Sequence, residues 1–237
     1  MQLDSYYHCE GSQVHFTRQQ ASDFAKGVAG DFNPIHDVGA KRFCVPGDLL
    51  FSVALERYGL SQQMHVVFAG MVGDGVILEF PESTAPSVQV RDTHGKVCLS
   101  MERSGPRTTD RDRICALTHC YVQFSGQAFP QILVPLMARH ERMINPDRPL
   151  IIYESMSIEL DRLDFGTPRL ELSDAHLDIE GKRGDVNLEF AVVSGDEVIG
   201  RGAKTMVLSG LRPFAAEQID ALVNDYLARK NSFAGGA

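Results

Sequence analysis

Apolar residues in the first sixty positions repeat at helical spacing, which predicts two helices. Thr17 and Gln20 have the form of a capping box, in which two residues satisfy free amides at a helix start. The apolar positions that follow at helical spacing are Ala21, Phe24, Ala25 and Val28. Gly30 is a natural C-terminal stop. A second helix is predicted from Pro46-Gly47 to about Gly59, and because it is apolar almost all round, we expect it to be buried.

Short apolar runs separated by turn residues predict strands after the second helix. Four consecutive strands are predicted over 64–72, 76–81, 87–93 and 96–102. Two glycine-containing turns, 73–75 and 94–95, separate them. The first part of the chain is therefore predicted to be a buried helix followed by a run of neighbouring strands.

A polar stretch over 105–113 lacks periodicity and predicts a linker between two halves. The pattern then repeats with a strand over 114–124 and an apolar helix over 129–143, bent or started by Pro135. Four more strands follow, and their clearest segments are 156–160, 186–190 and 198–208. A last amphipathic helix is predicted from Pro213.

The order of these elements indicates the fold class. Runs of strands around one helix are typical of α+β proteins with antiparallel sheets rather than of a parallel βαβ fold. We expect two halves, 1–104 and 114–237, that share element order without a sequence repeat. The two sheets should form one continuous layer around two central helices.

Composition and charge exclude several classes of protein. The 237 residues are 43% hydrophobic, which is enough for a substantial core. A formal net charge of −8 argues against a nucleic-acid partner and against an anionic membrane surface. The N-terminus lacks a basic segment followed by an apolar run, so we expect no secretory signal. Five cysteines without a zinc spacing are typical of a reducing cytosol, and we expect a cytoplasmic protein.

The segment 30–36, Gly-Asp-Phe-Asn-Pro-Ile-His, carries the most informative chemistry. Asn33 can bond its own backbone in a tight turn, and Pro34 fixes one φ angle beside it. The result is a rigid bend that presents Asp31 and His36 together. A carboxylate and an imidazole held this way are suited to orient a water molecule and to move a proton.

The start of the second helix supplies a second element. Its free backbone N–H groups and the positive end of the helix dipole are able to polarise a thioester carbonyl, and Gly47 lets a ligand approach the backbone closely. Asp48 follows Gly47 directly. We expect its carboxylate either to oppose the developing oxyanion or to point outward and favour the helix N-terminus.

These two elements together resemble the signature of MaoC-like dehydratases, which include the (R)-specific enoyl-CoA hydratases. The residues that carry the resemblance are Phe16-Thr17, Phe24-Ala25, 30–36, Ala40 and 46–50. They occupy about the first quarter of the chain. The resemblance indicates a divergent bacterial subfamily with a hotdog fold, in which a sheet wraps a central helix, and it implies a double hotdog for a chain with two such halves.

The same resemblance implies roles for individual residues. Asp31 and His36 match the pair that holds the water added across the enoyl double bond. Asn33 matches the asparagine that shapes the loop, and the Gly47 amide matches the donor to the thioester carbonyl. Pro46 lies beside that donor in the substrate-binding wall.

The chain also departs from the family pattern. The stretch between His36 and Gly47 is several residues shorter than in typical members, so the short helix that usually follows the histidine should be missing or reduced. The second half contains no second copy of the loop, as in fused members with one site. We therefore expect a single active site in the first half.

The predicted function is hydration of a 2-enoyl thioester, or the reverse dehydration of a 3-hydroxyacyl thioester, carried by coenzyme A or acyl carrier protein. Lys41, Arg42 and Arg57 are candidate contacts for the phosphates of coenzyme A at the mouth of the site. Neither a metal nor a redox cofactor is implied, and we leave a homodimer open. Two alternatives remain: an acyl-CoA thioesterase, and a non-catalytic module that binds acyl thioesters or proteins.

Overall fold

The structure, a computed structural model, describes residues 3–234. The first predicted helix is confirmed as α1 (Arg18–Phe24), with Thr17 as its N-cap and the reciprocal Thr17–Gln20 capping box formed. It continues as one π-helical segment, Ala25–Ala29, and ends at Gly30 in the left-handed conformation, φ 66°. A glycine accepts that conformation without steric cost, so the helix stops where the sequence predicts.

The second predicted helix is confirmed as α2 (Gly47–Tyr58). Leu49, Phe51 and Leu55 are fully buried, as its apolar circumference predicts. The strands of the first half are β1 (His8–Glu10), β2 (Gln13–His15), β3 (Leu60–Phe68), β4 (Leu78–Glu79), β5 (Ser87–Asp92) and β6 (Val97–Thr108). The four strands predicted after α2 are therefore present, with shifted bounds.

The prediction that residues 105–113 form an irregular linker is wrong. Residues 105–108 continue β6, where Arg107 and Thr108 pair with Ser61 and Leu60 of β3. Helix α3 (Arg111–Gly126) begins three residues later, capped by the Asp110 side chain. Pairing with the backbone of β3 therefore determines the structure of residues 105–108. The division of the chain into two domains stays a prediction.

The strand predicted over 114–124 is also wrong, because these residues form the middle of α3. Ile, Thr, Tyr, Val and Phe raise the strand propensity of the segment. Its buried side chains, however, include Ile114, Leu117, Tyr121 and Val122, which lie on one face of a helix. Packing of that face overrides local propensity. Phe51 of α2 contacts Tyr121 of α3 with ring centroids 5.1 Å apart.

The helix predicted over 129–143 is broken into two. The remaining elements of the second half are α4 (Ala128–Gln131), α5 (Leu133–Arg139), β7 (Arg142–Met143), β8 (Ile151–Leu160), β9 (Pro168–Glu180), β10 (Arg183–Ser194), β11 (Glu197–Ser209), β12 (Arg212–Pro213) and α6 (Ala216–Ala234). Phe129 is extended, φ −106° and ψ 130°, because the following proline disfavours helical geometry at the residue before it. The predicted last helix is confirmed as α6.

One antiparallel sheet of ten strands joins the two parts of the chain, in the order β1-β2-β4-β5-β6-β3-β8-β11-β10-β9. The junction is the pairing of β3 with β8, from Gln63 opposite Glu159 to Val67 opposite Ser155. Strands β7 and β12 form a separate two-stranded ribbon. The protein is thus an α+β structure with a large antiparallel sheet packed against helices, and the predicted continuous layer is confirmed.

The helices α2 and α3 lie against this sheet and share its core. The larger apolar cluster contains the buried side chains of α2, together with Ile114, Leu117, Tyr121 and Val122 of α3. A smaller cluster lies between α5, β10, β11 and the start of α6. None of the helices formed by residues 3–234 is long and apolar enough to cross a membrane.

Candidate active site

A cavity of about 290 Å³ lies at the N-terminal end of α2, between the two parts of the chain. The loop 31–36, residues 44–48 and Leu50 form one wall. Residues 68–72 and residues of α3, α4, α5, β8, β11 and α6 also line the cavity, together with Ile144 and Pro149. The predicted site residues Asp31, Asn33, His36, Pro46 and Gly47 all line this cavity. Folding therefore brings the two elements identified in the sequence to one void, and the second half of the chain completes it.

Asp31 and His36 face each other across the loop. The distance from Asp31 Oδ2 to His36 Nε2 is 3.6 Å, and both side chains are partly buried. His36 Nδ1 lies 2.7 Å from the carbonyl oxygen of Cys44. Because a carbonyl oxygen only accepts, Nδ1 must carry the hydrogen, and in the neutral ring Nε2 presents a lone pair towards Asp31. A water molecule that donates one hydrogen to each group would satisfy both acceptors.

Local hydrogen bonds fix the shape of this loop. Asp31 N donates to Ala25 O at 2.8 Å, which closes the end of the π-helical segment beyond the left-handed Gly30. Asp31 Oδ1 accepts from Asn33 N at 2.9 Å, and Asn33 Oδ1 accepts from Ile35 N at 3.2 Å. Both are turns of the type in which a side-chain oxygen bonds the backbone two residues on. Pro34 then starts one turn of 3₁₀ helix, Pro34–His36. The loop-shaping role expected of Asn33 has this physical basis.

Helix α6 holds the loop from outside through Tyr226, a residue that the sequence alone did not single out. Its hydroxyl accepts from Phe32 N at 3.3 Å and lies 3.1 Å from Gly30 O, to which it donates. The Tyr226 ring also packs edge-on against Phe32, with centroids 6.0 Å apart. Burial raises the pKa of Tyr226 above its usual range, so the hydroxyl keeps the proton that it donates.

We expect Tyr226→Phe to lower the free energy of unfolding by about 1 kcal/mol, because two backbone groups of the loop lose their partner. The loss of protection of the loop amides should exceed the loss in the free energy of unfolding of the whole protein. Amide hydrogen exchange at Phe32 should accelerate, measured alongside the urea midpoint. Tyr7→Phe is the matched control, since it removes an exposed hydroxyl bonded to Glu56 at 3.0 Å. Unchanged exchange at Phe32 would show that Tyr226 does not hold the loop.

The segment after His36 forms turns rather than a helix. Within the described chain, residues 37–46 contain no helical segment, as the shortened sequence predicts. Asp37 pairs with Lys26 at 2.9 Å and with Arg229 of α6 at 3.0 Å. Arg18 donates to the carbonyl oxygen of Ala40 at 2.9 Å. Charged side chains from α1, the π-helical segment and α6 therefore hold residues 37–40 in place without a helix.

Pro46 and Gly47 begin α2 against an aromatic wall. A Cβ atom placed on Gly47 would lie 2.8 Å from Cδ1 of Tyr153 and 3.4 Å from Phe68. Only glycine fits here without moving the Tyr153 ring. The first amides of a helix have no intrahelical acceptor, so the Gly47 amide is available to a ligand oxygen in the cavity.

A buried polar cluster beside Gly47 was not predicted. Asp48 points inward, so of the two expectations for its carboxylate the outward one is wrong, and Oδ2 accepts from Ser125 Oγ at 2.6 Å. Lys204 of β11 contacts the same Ser125 hydroxyl. Burial raises the pKa of Asp48 and lowers the pKa of Lys204, while the attraction between the two charges opposes both shifts. The sequence signal for Lys204 was available: it alternates in phase with buried Met206 and Leu208, on the inward face of an apolar strand.

The three cations predicted to meet phosphates do not line the cavity. Arg57 lies at the far end of α2, more than two helical turns from Gly47, and therefore does not reach the cavity. Its guanidinium group donates to Gly11 O at 3.1 Å instead. Lys41 and Arg42 are exposed on the turns after His36 and remain candidates for contacts outside the cavity. Cys44 does line it, but burial raises the pKa of this thiol to about 11, which disfavours a nucleophilic thiolate.

Among residues 3–234, no group of three or more His, Cys, Asp and Glu side chains is arranged to hold a metal ion. The described site brings together a carboxylate, an imidazole, helix-terminal amides and a buried ion pair. Such a set suits acid–base chemistry on a polarised carbonyl compound.

A profile of the family described as "Protein of unknown function (DUF3581)" matches residues 1–217. No protein of curated function matches the sequence. A solved MaoC-like dehydratase superposes with a TM-score of 0.44 and 8% identity, over 86% of this chain and 98% of its own.

Two further solved structures give similar values. A tesB protein of Mycobacterium avium subs paratuberculosis has a TM-score of 0.43 and 8% identity, over 87% of this chain and 96% of its own. An acyl-CoA thioesterase II, TesB2, from Mycobacterium marinum has a TM-score of 0.39 and 13% identity, over 91% and 99%. At this level of similarity the three structures assign no activity to the chain.

Proposed function

The chain belongs to the family described as "Protein of unknown function (DUF3581)", and we propose that it is a cytoplasmic hydratase of 2-enoyl thioesters with a double hotdog fold. The observation that carries the proposal is the pairing of Asp31 and His36 at 3.6 Å in the wall of a cavity that also receives the first turn of α2. A water-orienting pair and a carbonyl-binding helix terminus are the two parts that enoyl hydration needs.

The proposed reaction begins with a water molecule between His36 Nε2 and Asp31 Oδ2. Because both atoms accept hydrogen bonds, the water donates to both and directs a lone pair of its oxygen into the cavity. That oxygen bonds to C3 of the enoyl group, and the double-bond electrons move to the thioester oxygen as an enolate. One water proton passes to the Asp31–His36 pair, which returns a proton to C2 as the thioester carbonyl re-forms.

The Gly47 amide is the proposed donor to the enolate oxygen. It lies at the positive end of the α2 dipole, and preorganised donors of this kind stabilise the negative charge that develops in the transition state. Pro46 fixes the backbone just before this amide. The same arrangement serves the reverse dehydration of a 3-hydroxyacyl thioester.

The remaining cavity wall suits an acyl chain. Leu133, Ile144 and Ile151 line it together with Met206 and Leu222. At about 290 Å³ the cavity lies just below the range of about 300–1,000 Å³ usual for small-molecule sites, so we propose a short acyl group. The thioester carrier, coenzyme A or acyl carrier protein, would remain outside, where Lys41 and Arg42 are exposed.

Incubation of the purified protein with crotonyl-CoA tests this function. Hydration removes the enoyl absorbance and leaves the thioester intact, whereas a thioesterase releases free coenzyme A, which a thiol reagent detects. We expect loss of enoyl absorbance without free thiol, and formation of 3-hydroxybutyryl-CoA by mass spectrometry.

Two other results would contradict the proposed hydratase. Free thiol together with crotonate, without 3-hydroxybutyryl-CoA, would replace the hydratase by a thioesterase. Neither product, combined with saturable binding of the acyl-CoA, would leave a non-catalytic binding module. The exposed pair His176–Asp178, 3.1 Å apart, provides a control variant, His176→Asn, that should leave any measured activity unchanged.

A further inference from the structure

Three side chains from different elements form the buried polar cluster in the cavity wall. Asp48 comes from α2, Ser125 from α3 and Lys204 from β11, and all three line the cavity. Their exposed fractions are 6%, 6% and 4%. Ser125 Oγ donates to Asp48 Oδ2 at 2.6 Å and contacts Lys204 Nζ. A cation and a carboxylate are thus linked through one hydroxyl group.

A purely structural role accounts poorly for this cluster. A buried ion pair contributes little to stability, because the loss of hydration offsets the attraction between the charges. The pairing is also incomplete, since the second carboxylate oxygen, Asp48 Oδ1, is buried and has no hydrogen-bond partner in the described structure. The cluster lies in the wall of the cavity rather than in the sealed core. The ion pair is therefore not optimised for stability, and it faces the space that a ligand would occupy.

The position of the cation relative to α2 is fixed by Tyr153. Lys204 Nζ lies 3.9 Å from the centroid of the Tyr153 ring. The same ring would meet a Cβ atom on Gly47 at 2.8 Å. Tyr153 is held in turn by Tyr121, since their hydroxyl groups are in contact. One aromatic ring therefore contacts both the Lys204 ammonium group and the first residue of α2.

Among the residues that line the cavity, Lys204 is the one lysine or arginine. We propose that Lys204 is a catalytic residue, whose ammonium group binds the thioester carbonyl oxygen together with the Gly47 amide, and that Asp48 and Ser125 position it. This inference rests on the proposed hydration and extends its oxyanion site from one donor to two. A fixed cation in a water-poor cavity stabilises enolate charge more strongly than an amide alone.

Only the charged form of Lys204 can do this. The charged or titratable groups that act on it are Asp48 and Asp31, and the Tyr153 hydroxyl belongs to the ring beneath it. Burial lowers the pKa of Lys204 from its ordinary 10.5, and the two carboxylates act against that shift. The ammonium form is therefore present at low pH and is lost as the pH rises through the lowered pKa. Hydration should fall on the alkaline side below pH 10.5.

The decisive variants are Lys204→Met and the double variant Asp48→Asn/Lys204→Met, with exposed Lys182→Met as the control. The single variant leaves a buried carboxylate unpaired, so it would lose activity for structural reasons as well. The double variant removes both charges and keeps an amide beside Ser125. We expect kcat for crotonyl-CoA to fall by about 10²–10³-fold in the double variant, with a smaller change in KM. Recovery of kcat to the wild-type range would overturn the proposal.

A second measurement needs no turnover. Bound 4-dimethylaminocinnamoyl-CoA absorbs at longer wavelength when its carbonyl group is polarised. We expect a red shift with the wild-type protein and with Asp31→Asn, and a much smaller shift with the double variant. An equal red shift in all three would show that Lys204 does not reach the carbonyl. If the wild-type protein shifts the absorbance of the bound ligand but does not hydrate crotonyl-CoA, the proposed function is refuted. The proposed contact between Lys204 and the carbonyl oxygen would still stand.

The Asp48→Asn variant adds a test that holds even if the double variant does not fold. Removing one carboxylate that stabilises the ammonium form lowers the pKa of Lys204 further. The alkaline limit of kcat should then move to lower pH than in the wild type. An alkaline limit at the same pH in both proteins would exclude Lys204 as the group that must stay charged.

Discussion

Replacement of His36 by asparagine is expected to reduce kcat for crotonyl-CoA hydration by about 10³-fold, within the range of about 10²–10⁴ for general acid–base groups. The Asn Nδ2 group can occupy the position of His36 Nδ1 and keep the hydrogen bond to Cys44 O, which is 2.7 Å long in the wild type. The substitution therefore deletes Nε2, the acceptor that faces Asp31, while it preserves the anchor of the side chain. Stability should change little.

Asp31→Asn is the companion variant and should reduce kcat by about the same factor. Asn Oδ1 can still accept from Asn33 N, at 2.9 Å in the wild type, so the turn is preserved. Its NH₂ group replaces Oδ2 and donates towards His36 Nε2, which removes both acceptors from the water position. Stopped-flow loss of enoyl absorbance measures kcat, and equilibrium binding of butyryl-CoA measures retention of the site.

The pair should behave as a unit. Because both groups hold one water molecule, the double variant Asp31→Asn/His36→Asn should be about as slow as either single variant rather than slower by the product. Near-wild-type hydration by either single variant would refute the proposed mechanism. His176→Asn, in the exposed pair with Asp178, should leave kcat unchanged.

Gly126→Ala is expected to lower the free energy of unfolding by about 3 kcal/mol, at the upper end of overpacking substitutions. A Cβ atom at Gly126 would lie 2.0 Å from the backbone oxygen of Ala29, and backbone atoms on both sides leave no flexible side chain to move. A loss of stability is unusual for this substitution, since replacing glycine by alanine within a helix ordinarily stabilises a protein by about 1 kcal/mol. The melting temperature should fall by about 6–12 °C for a chain of this size.

The same substitution should also reduce activity, because Ala29 directly precedes Gly30 and Asp31. Displacement of Ala29 shifts the loop that carries the carboxylate. Gly27→Ala is the matched control, since its Cβ atom would meet one atom of Phe233 at 3.9 Å. Thermal unfolding and kcat should stay near wild type for Gly27→Ala. Equal effects of the two substitutions would show that the Gly126–Ala29 contact is not what joins α3 to the loop.

Local chemistry made several parts of the fold predictable. The capping box of Thr17 and Gln20, the stop at Gly30 and the burial of α2 all depend on neighbours within a few residues. The Asx turns of Asp31 and Asn33 are equally local. For this reason the shape of the loop and the approach of the Asp31 and His36 side chains could be predicted before the structure was known.

The errors arose where distant partners overrode local preference. Residues 114–124 have strand-favouring composition but pack one helical face, including Tyr121, against α2 and the sheet. Residues 105–108 look like a linker but complete β6 against β3. In both cases the burial or pairing of backbone and side chains with remote elements outweighs a propensity difference of less than about 1 kcal/mol per residue.

The sequence by itself determined the loop, the buried helix α2 and the four strands that follow it, because their patterns are specified by contacts over a few residues. Only the tertiary structure decided what stands around that loop. Ser125 meets Asp48 across 77 residues, and Lys204 meets Ser125 across 79. The same folding brings β8 beside β3 and places Tyr226 on the loop. Such contacts depend on how the sheet closes over the helices, and no local pattern encodes that geometry.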